Sequence, residues 1–249
     1  MESKIDLTGL VDTNRVIEVE RIDSTVLSDR RGCLLVKRAA DVTLSLVALA
    51  VLAVPLAVIA LAVKLDSSGP VFYRQERLGK NGRPFLLVKF RSMQTGAEKA
   101  GAQWAKEHDP RVTWMGQFMR GCRLDELPQF LGVVKGDLSL VGLRPERAVF
   151  YEAFEKYSPG FKQRLMVTPG ITGLAQVNGG YDLKPTEKIQ YDVEYIKHQS
   201  FGMNMAILIK TVMTVLLGTR GMADKGSKSE FCPTYEGFQL VAVQMGRGC

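Results

Sequence analysis

The sequence is poor in the residues that bind transition metals, with four cysteines and two histidines among 249 residues. The cysteines show no CxxC spacing, so no Cys/His zinc site can be built at the usual ligand separations. Cysteines scattered in this way are typical of reduced thiols, which places them on the cytosolic side of a membrane.

The usual glycine-rich nucleotide loops are missing as well. Gly79 and Lys80 resemble the end of a P-loop, but Arg74 occupies the place of the earlier glycine and Asn81 that of the serine or threonine. Aromatic residues make up only 8%, and the basic residues are interleaved with acidic ones. Because a single-strand binding surface needs a basic stripe with stacking aromatics, we expect no nucleic-acid partner. The net charge of +7 suits phosphorylated substrates or anionic lipids.

A long run without charge, residues 42–63, is present. At about 1.5 Å per helical residue it is long enough to cross the apolar core of a bilayer, although a buried core helix is an alternative. Pro55, near its middle, predicts a kink or a break because it removes one helical hydrogen bond. Asp41, just before the run, could cap the helix or pair with Lys37 or Arg38.

Basic residues flank this run on both sides, namely Arg30, Arg31, Lys37 and Arg38 before it and Lys64, Arg74, Arg77, Lys80 and Arg83 after it. Since basic flanks favour the cytoplasmic side, a straight span would place one flank outside. A re-entrant helix that enters and leaves on the same side satisfies both flanks, and we favour it. Labelling of either flank from outside the cell would contradict this course.

The rest of the chain predicts short elements. VFYRQ and FLLVKF have the composition of strands, joined by the turn LGKNGRP. Helices are expected at 94–108 and 187–198, and a turn-rich folded loop at 166–182. Residues 201–218 are apolar but contain Lys210, which is costly at the centre of a span. An interfacial amphipathic helix, with Lys210 reaching toward headgroups, explains that segment better than a second span.

Two adjacent acids stand in RLDELPQF, residues 123–130. Pro128 is tolerated only in the first turn of a helix, so Asp125 and Glu126 are expected at the start of the helix that runs through QFLGVV. Helix starts favour carboxylates both as structural caps and as groups beside a bound phosphate, so this placement alone leaves both interpretations open. Arg123 could contact phosphate or form a simple ion pair.

Opposite charges are concentrated in residues 109–146. Arginine side chains grip phosphate oxygens in pairs, a carboxylate can hold Mg²⁺, and a second carboxylate can attack phosphorus. This mixture suits phosphoryl transfer, and a surface ion network is the alternative. The candidate basic contacts here are Arg111, Arg120 and Arg144.

Several motifs resemble those of the bacterial sugar transferases, the monotopic phosphoglycosyl transferases. They are KRAADVTLSLV, VFYRQERLG, KFRSM, DPRVTWMGQFMR, LDELPQF, KGDLSLVGLRPE and TPGITGLAQVNG, in this order between about residues 36 and 217. The resemblance implies transfer of a hexose 1-phosphate from a UDP-sugar to polyprenol phosphate, with release of UMP. It also implies a re-entrant N-terminal helix broken at Pro55, in agreement with the charge pattern.

The resemblance implies roles for individual residues. Asp125 would be the nucleophile that carries the phosphosugar, Glu126 its partner in positioning or proton handling, and Mg²⁺ would be held at Asp125. The candidate substrate-binding residues are Lys89, Arg91, Arg111, Arg120, Gln129, Arg144 and Pro145.

Together these features predict a mostly helical α/β fold with short strands and interfacial amphipathic helices. The expected parts are an N-terminal extension (1–35), the re-entrant helix (36–65), a cytosolic catalytic domain (66–222) and a flexible tail (223–249). We expect the bacterial inner membrane as location, both termini in the cytoplasm, and membrane lipids as partners; the sequence leaves a homodimer open. The alternative function is a non-enzymatic membrane adaptor of a glycan-assembly complex.

Overall fold

The computed structural model describes residues 19–23, 25, 31–98, 109–179 and 183–217. Its helices are α1 (Arg31–Val51), α2 (Ala53–Asp66), α3 (Trp114–Gly121), α4 (Phe130–Lys135), α5 (Ala148–Tyr157), α6 (Leu174–Gly179), α7 (Pro185–His198) and α8 (Phe201–Leu217). The strands are β1 (Phe72–Leu78), β2 (Pro84–Phe90), β3 (Ser139–Val141) and β4 (Gly170–Thr172). Short 3₁₀ segments lie at Lys80–Gly82, Leu124–Gln129 and Phe161–Met166. The described part is therefore mostly helical with short strands, as predicted.

Some predicted parts lie outside the described residues. They include most of the N-terminal extension, the whole tail 223–249 and residues 99–108 of the polar helix expected at 94–108. Residues 95–98, which are described, form turns instead of a helix.

The apolar run forms two helices with a sharp bend between them. The axis of α2 is bent by 64° from that of α1, and the break between the two helices falls at Leu52. Pro55 explains the position, because it has no N–H to donate to the carbonyl of Val51 one turn earlier. Among the described helices, none is by itself both long and apolar enough to cross a membrane. The two helices of the bent pair, taken together, have the length and the apolar composition that a crossing requires.

A polar clamp fixes α1 to the rest of the fold. The Asp41 carboxylate accepts hydrogen bonds from Lys37 Nζ at 3.0 Å and from Ser139 Oγ on β3 at 2.6 Å. Arg38, which follows Lys37 in α1, makes a second contact. Its guanidinium donates a hydrogen bond to the carbonyl of Val133 in α4 at 2.6 Å. Of the two interpretations left open for Asp41, the pairing with Lys37 is therefore confirmed.

The first sheet is the predicted hairpin. β1 and β2 pair antiparallel, from Phe72 opposite Phe90 to Leu78 opposite Pro84. The turn contains Asn81 and Gly82 with φ of 57° and 73°, a left-handed geometry that asparagine and glycine tolerate.

The second sheet corrects the interpretation of residues 166–182 as a folded loop. Part of this segment forms β4, which pairs parallel with β3 (Ser139 opposite Gly170, Val141 opposite Thr172), and α6 follows it. Side chains on Gly142 or Gly170 would collide with the backbone of the other strand, so these glycines serve close packing. Elements of three and six residues are too short to show a hydrophobic period, which is why the sequence suggested a loop.

The main hydrophobic core lies around the second sheet and extends onto α7 and α8, with Leu140, Val141, Tyr195, Ile196 and Ile207 almost fully buried. The other face of α8 leaves large apolar side chains exposed, namely Phe201, Ile209, Val212, Met213 and Val215. Lys210 on this helix has a protein partner, because its Nζ donates to Asn178 Oδ1 at 2.7 Å. The sequence analysis expected the Lys210 ammonium group to reach toward lipid headgroups. In the structure it is instead directed to a side chain on α6.

Helix α3 approaches the chain after β2 very closely at Gly116. A methyl group on Gly116 would collide with the carbonyl oxygen of Ser92, which is backbone and cannot swing away. A methyl group on Gly121, in the same helix, would meet nothing within 4 Å.

We expect Gly116→Ala to lower the free energy of unfolding by about 1–3 kcal/mol, because overpacking forces the backbone apart. Gly121→Ala is the matched control and should leave stability unchanged or raise it by up to about 1 kcal/mol, since alanine favours helix. Thermal unfolding of both variants in detergent measures the difference. Equal unfolding temperatures for the two variants would contradict the close contact.

Candidate active site

The two adjacent acids lie in the 3₁₀ segment Leu124–Gln129, which leads directly into α4. Arg123 precedes it in a left-handed conformation with φ of 54°, which turns the chain out of α3. Pro128 lies inside the 3₁₀ segment, where its missing N–H does little harm. The expected placement of Asp125 and Glu126 at a helix start is thus confirmed, with a 3₁₀ first turn.

Asp125 is a buried carboxylate that accepts no hydrogen bond from the residues that the structure describes. It is only 6% exposed. Burial raises its pKa above the ordinary value, and the neighbouring Glu126 raises it further. A carboxylate whose oxygens are not engaged by the protein can react with an electrophile.

Glu126 has the opposite environment. Its Oε1 accepts a hydrogen bond from Arg144 Nη2 at 2.6 Å, and the pair is largely buried. Arg144 stands in the loop after β3, so this ion pair joins the 3₁₀ segment to the second sheet. Two adjacent acids thereby differ: one is held by an arginine and the other is not.

Lys89 and Arg120 complete a positive environment around the acids. The positive charges of Lys89, Arg120 and Arg144 all lower the pKa of Asp125 and partly offset the effect of burial. Burial lowers the pKa of Lys89, and the charge of Asp125 opposes this shift. Arg120 is oriented by a hydrogen bond from Nε to Ser92 Oγ at 2.9 Å. Such a cluster suits an anionic substrate.

Gln129 is the last residue of the same 3₁₀ segment, one turn after Glu126. It is 3% exposed, and its Nε2 has no hydrogen-bond partner among the described residues. A buried amide without a partner costs free energy, so its donor is available to a ligand that enters the site.

Two predicted substrate contacts lie elsewhere. Arg91 is buried against the end of α2, where its Nη2 donates to the carbonyl and the hydroxyl of Ser67 at 2.6 and 2.9 Å. Arg111 forms a two-pronged ion pair with Asp109, with distances of 2.7 and 2.5 Å. The structure does not bring either residue into the group formed by Asp125, Glu126, Lys89, Arg120, Gln129 and Arg144, and their roles as substrate contacts stay predictions.

Pro145 follows Arg144 and is buried, with its carbonyl accepting a hydrogen bond from Arg77 at 3.0 Å. Arg77 belongs to a buried charge network that sequence reasoning missed; its other members are Glu146, Arg164, Lys188 and Asp192. The motifs RQERLG and LRPE contain two of these residues, but spacing along the chain gives no hint of which charges meet.

The donor set at the acids fits only one kind of Mg²⁺ site. Among the described residues no three acidic, histidine or cysteine side chains converge. Two carboxylates are present, and one of them is engaged by Arg144. Mg²⁺ commonly takes one or two carboxylates together with water and substrate phosphates. Asp125 therefore suits a site completed by substrate and does not suit an all-protein cage.

Comparison with known proteins identifies a family and relatives for this chain. The family model described as bacterial sugar transferase matches residues 33–218. The chain is 42% identical over 186 residues to a UDP-N-acetylgalactosamine-undecaprenyl-phosphate N-acetylgalactosaminephosphotransferase of Aeromonas hydrophila (74% of this chain, 44% of the relative). UDP-glucose:undecaprenyl-phosphate glucose-1-phosphate transferases are 41% identical in Escherichia coli (72% of this chain, 39% of the relative) and 37% identical in Caulobacter vibrioides (72% and 69%). The chain thus spans less than half of the first two relatives.

We expect Asp125→Asn to raise the unfolding temperature at neutral pH in metal-free buffer. Because the folded state raises the pKa of Asp125, it binds this proton more tightly than the unfolded state does. The ionised carboxylate therefore costs stability above the unfolded pKa of about 3.9, and the advantage of the asparagine variant disappears as the pH falls below that value.

Asp109→Asn is the matched control, and we expect it to lower the unfolding temperature at neutral pH instead of raising it. Hydrogen bonds from Arg111 lower the pKa of Asp109 to about 2, so its ionised form stabilises the fold above about pH 3.9 and this stabilisation is lost as the pH falls toward 2. Thermal unfolding from neutral to acidic pH measures both variants. If both substitutions shifted stability in the same direction at neutral pH, the contrast between the two carboxylates would be wrong.

Proposed function

The chain belongs to the bacterial sugar transferase family, and on this premise we propose that it transfers a sugar 1-phosphate from a UDP-sugar to polyprenol (undecaprenyl) phosphate and releases UMP. The relatives named above are undecaprenyl-phosphate transferases of N-acetylgalactosamine phosphate or glucose 1-phosphate. The product, a polyprenyl-diphosphate sugar, would begin the synthesis of a bacterial polysaccharide or glycoconjugate.

One observation carries the proposal: Asp125 is a buried carboxylate that receives no hydrogen bond within the described part of the chain and faces the charges of Lys89, Arg120 and Arg144. A structural carboxylate in this position would be expected to accept hydrogen bonds, because burying a charge without partners is costly. A nucleophile must instead keep an oxygen available, and the surrounding cations favour an approaching diphosphate.

The proposed reaction has two displacements at the same phosphorus. A carboxylate oxygen of Asp125 attacks the phosphorus that bears the sugar, and the bond from that phosphorus to the bridging oxygen breaks, so UMP leaves with the electron pair. A phosphate oxygen of polyprenol phosphate then attacks the phosphosugar on Asp125, and the carboxylate leaves. Charge balances without a net proton when UMP leaves as a dianion and polyprenol phosphate enters as one.

The other residues act on geometry and charge in this proposal. Arg144 and Lys89 stabilise the diphosphate oxygens as charge moves onto UMP, since guanidinium and ammonium groups in a dry site hold such charge strongly. Arg120 joins them from α3, and the Gln129 amide donates to a phosphate oxygen. Glu126 acts mainly by holding Arg144.

Mg²⁺ at Asp125 is part of the proposal, because the donor set fits a site completed by substrate phosphates. When bound, Mg²⁺ would neutralise the diphosphate and make UMP a better leaving group.

We further propose that the bent pair α1–α2 enters the cytoplasmic membrane and returns, so that the catalytic part and both termini are cytoplasmic. Its exposed side chains support lipid contact, because they are almost all apolar: Leu35, Val36, Leu44, Leu46, Val47 and Val51 on α1 and Val54, Val58, Leu61 and Leu65 on α2. The exposed apolar face of α8 suits the interface of the same membrane.

We expect the purified protein to release UMP from a UDP-sugar in the presence of Mg²⁺ and undecaprenyl phosphate. A panel that includes UDP-N-acetylgalactosamine and UDP-glucose identifies the sugar, and a UMP-coupled assay measures the rate. Asp125→Asn should lower turnover by at least about 10³-fold, because an amide is a poor nucleophile. Asp125→Glu is a weaker test, since a carboxylate remains.

Glu152→Gln provides the control for loss of a carboxylate outside the site, because Glu152 is exposed on α5 and pairs with Lys162. It should keep most of its turnover at neutral pH. Wild-type turnover in Asp125→Asn would rule out the nucleophile, and a wild-type protein without UMP release from any sugar would favour the adaptor function.

A further inference from the structure

The loop that carries Arg144, residues 142–147, is held at its start by the neighbouring strand. The amide of Gly142 donates to the carbonyl of Thr172 at 2.8 Å, and the carbonyl of Leu143 accepts from Gly170 at 2.8 Å. The first bond continues the parallel pairing of β3 and β4. The second lies outside that register, because Gly170 is paired with Ser139 in the sheet, so the chain folds back against β4 just before Arg144.

Two arginines hold the next part of the loop through its backbone. Arg164 Nη2 donates to the carbonyl of Arg144 at 2.8 Å, and Arg77 Nη1 donates to the carbonyl of Pro145 at 3.0 Å. Neither contact involves the Arg144 guanidinium, which is directed to Glu126. The loop therefore has its catalytic side chain on one side and two buried arginines on the other.

Three further charges fix those arginines. Arg164 Nε donates to Asp192 on α7 at 2.6 Å, and both side chains are almost completely buried. Glu146, the residue after Pro145, accepts from Arg77 at 3.0 Å and from Lys188 on α7 at 2.5 Å. The network thus ties β1, the 3₁₀ segment Phe161–Met166 and α7 to one loop.

Stability alone gives a weak account of this network. Replacing buried ion pairs by well-packed apolar side chains often leaves a fold equally stable or more stable. Apolar side chains cannot, however, hold the carbonyls of two successive residues in fixed directions. A guanidinium can do so while it also binds a carboxylate, because its donors lie in a rigid plane.

We propose that the network of Arg77, Glu146, Arg164, Lys188 and Asp192 positions Arg144 for the reaction, with Arg164 as its central positioning residue. The predicted effect on the reaction rate rests on the proposed function. The predicted effect on the position of the Arg144 loop rests only on the contacts described above. If the carbonyl of Arg144 is released, its guanidinium moves away from Glu126 and from the substrate phosphates, and a displacement of about 1 Å at such a group can cost up to about 10²-fold in rate.

A double-mutant cycle between Arg164→Lys and Arg144→Ala tests the proposal. Lysine keeps the positive charge beside Asp192 but has a single nitrogen, so it cannot reproduce both the bond to Asp192 and the bond to the Arg144 carbonyl. We expect Arg164→Lys to lower kcat by roughly 10-fold in the wild-type background and less than about 2-fold in the Arg144→Ala background, because the group that it positions is then absent. Equal losses in both backgrounds would overturn the proposal, since a merely structural role is additive.

Lys188→Met provides a second entry to the network if Arg164→Lys does not fold. It removes one donor to Glu146 and should show the same dependence on Arg144, and additivity here would likewise count against the network. Lys162→Met is the control: Lys162 lies in the same 3₁₀ segment as Arg164 but forms an exposed pair with Glu152. This control should change kcat less than about 2-fold, in line with exposed ion pairs elsewhere.

Hydrogen exchange separates failure of this inference from failure of the proposed function, because it needs no turnover. Measured by mass spectrometry on the full chain, Arg164→Lys should speed exchange in the peptides covering 142–147 and 124–129 and leave helix α2 unchanged. In the Arg144→Ala background it should add nothing at 124–129. A protein that releases no UMP but shows this pattern would refute the function and retain the positioning network; unchanged exchange at 142–147 would refute the network.

Discussion

The ion pair between Glu126 and Arg144 is the interaction on which the site depends. Adjacent buried carboxylates repel each other, and the charge of Glu126 raises the pKa of Asp125. By engaging Glu126, Arg144 keeps one acid occupied and leaves Asp125 as the carboxylate without a hydrogen-bond donor in the described part of the chain. The same pair joins the 3₁₀ segment at Leu124–Gln129 to the loop after β3. This one contact therefore links the charge of the acid pair to the position of that loop.

The two parts of the chain that this ion pair joins are the 3₁₀ segment with α4 and the loop after β3. Both are also held by contacts with helix α1. Helix α1 binds the end of α4 through Arg38 and binds β3 through Asp41 and Ser139. The helix proposed to enter the membrane is thus in direct contact with both α4 and β3, which adjoin the acid pair and the Arg144 loop. These contacts give the KRAAD motif a structural role, which is to hold α1 against α4 and β3, and its position before an apolar run does not suggest that role.

Sequence reasoning succeeded where local rules apply. The hairpin followed from alternating residues around a turn, the break near Pro55 from a missing N–H, and the placement of the acids from Pro128. It failed where distant residues decide: Gly170 lies in a segment expected to be a loop, but it belongs to β4 and serves its close packing against the chain at Gly142. The roles of Arg91 and Arg111 as substrate contacts stay predictions; in the structure Arg91 binds Ser67 and Arg111 binds Asp109. The partners of Arg164 and Glu146 lie too far along the chain for spacing to reveal them.

The central claim is that Asp125 carries the phosphosugar during turnover, and intact-protein mass spectrometry tests it most directly. In the presence of a UDP-sugar that supports UMP release, and without polyprenol phosphate, the account predicts that the protein gains the mass of one sugar 1-phosphate on the peptide that contains Asp125. Added undecaprenyl phosphate should discharge this adduct. An adduct on another residue, or a burst of UMP without any adduct, would contradict the account.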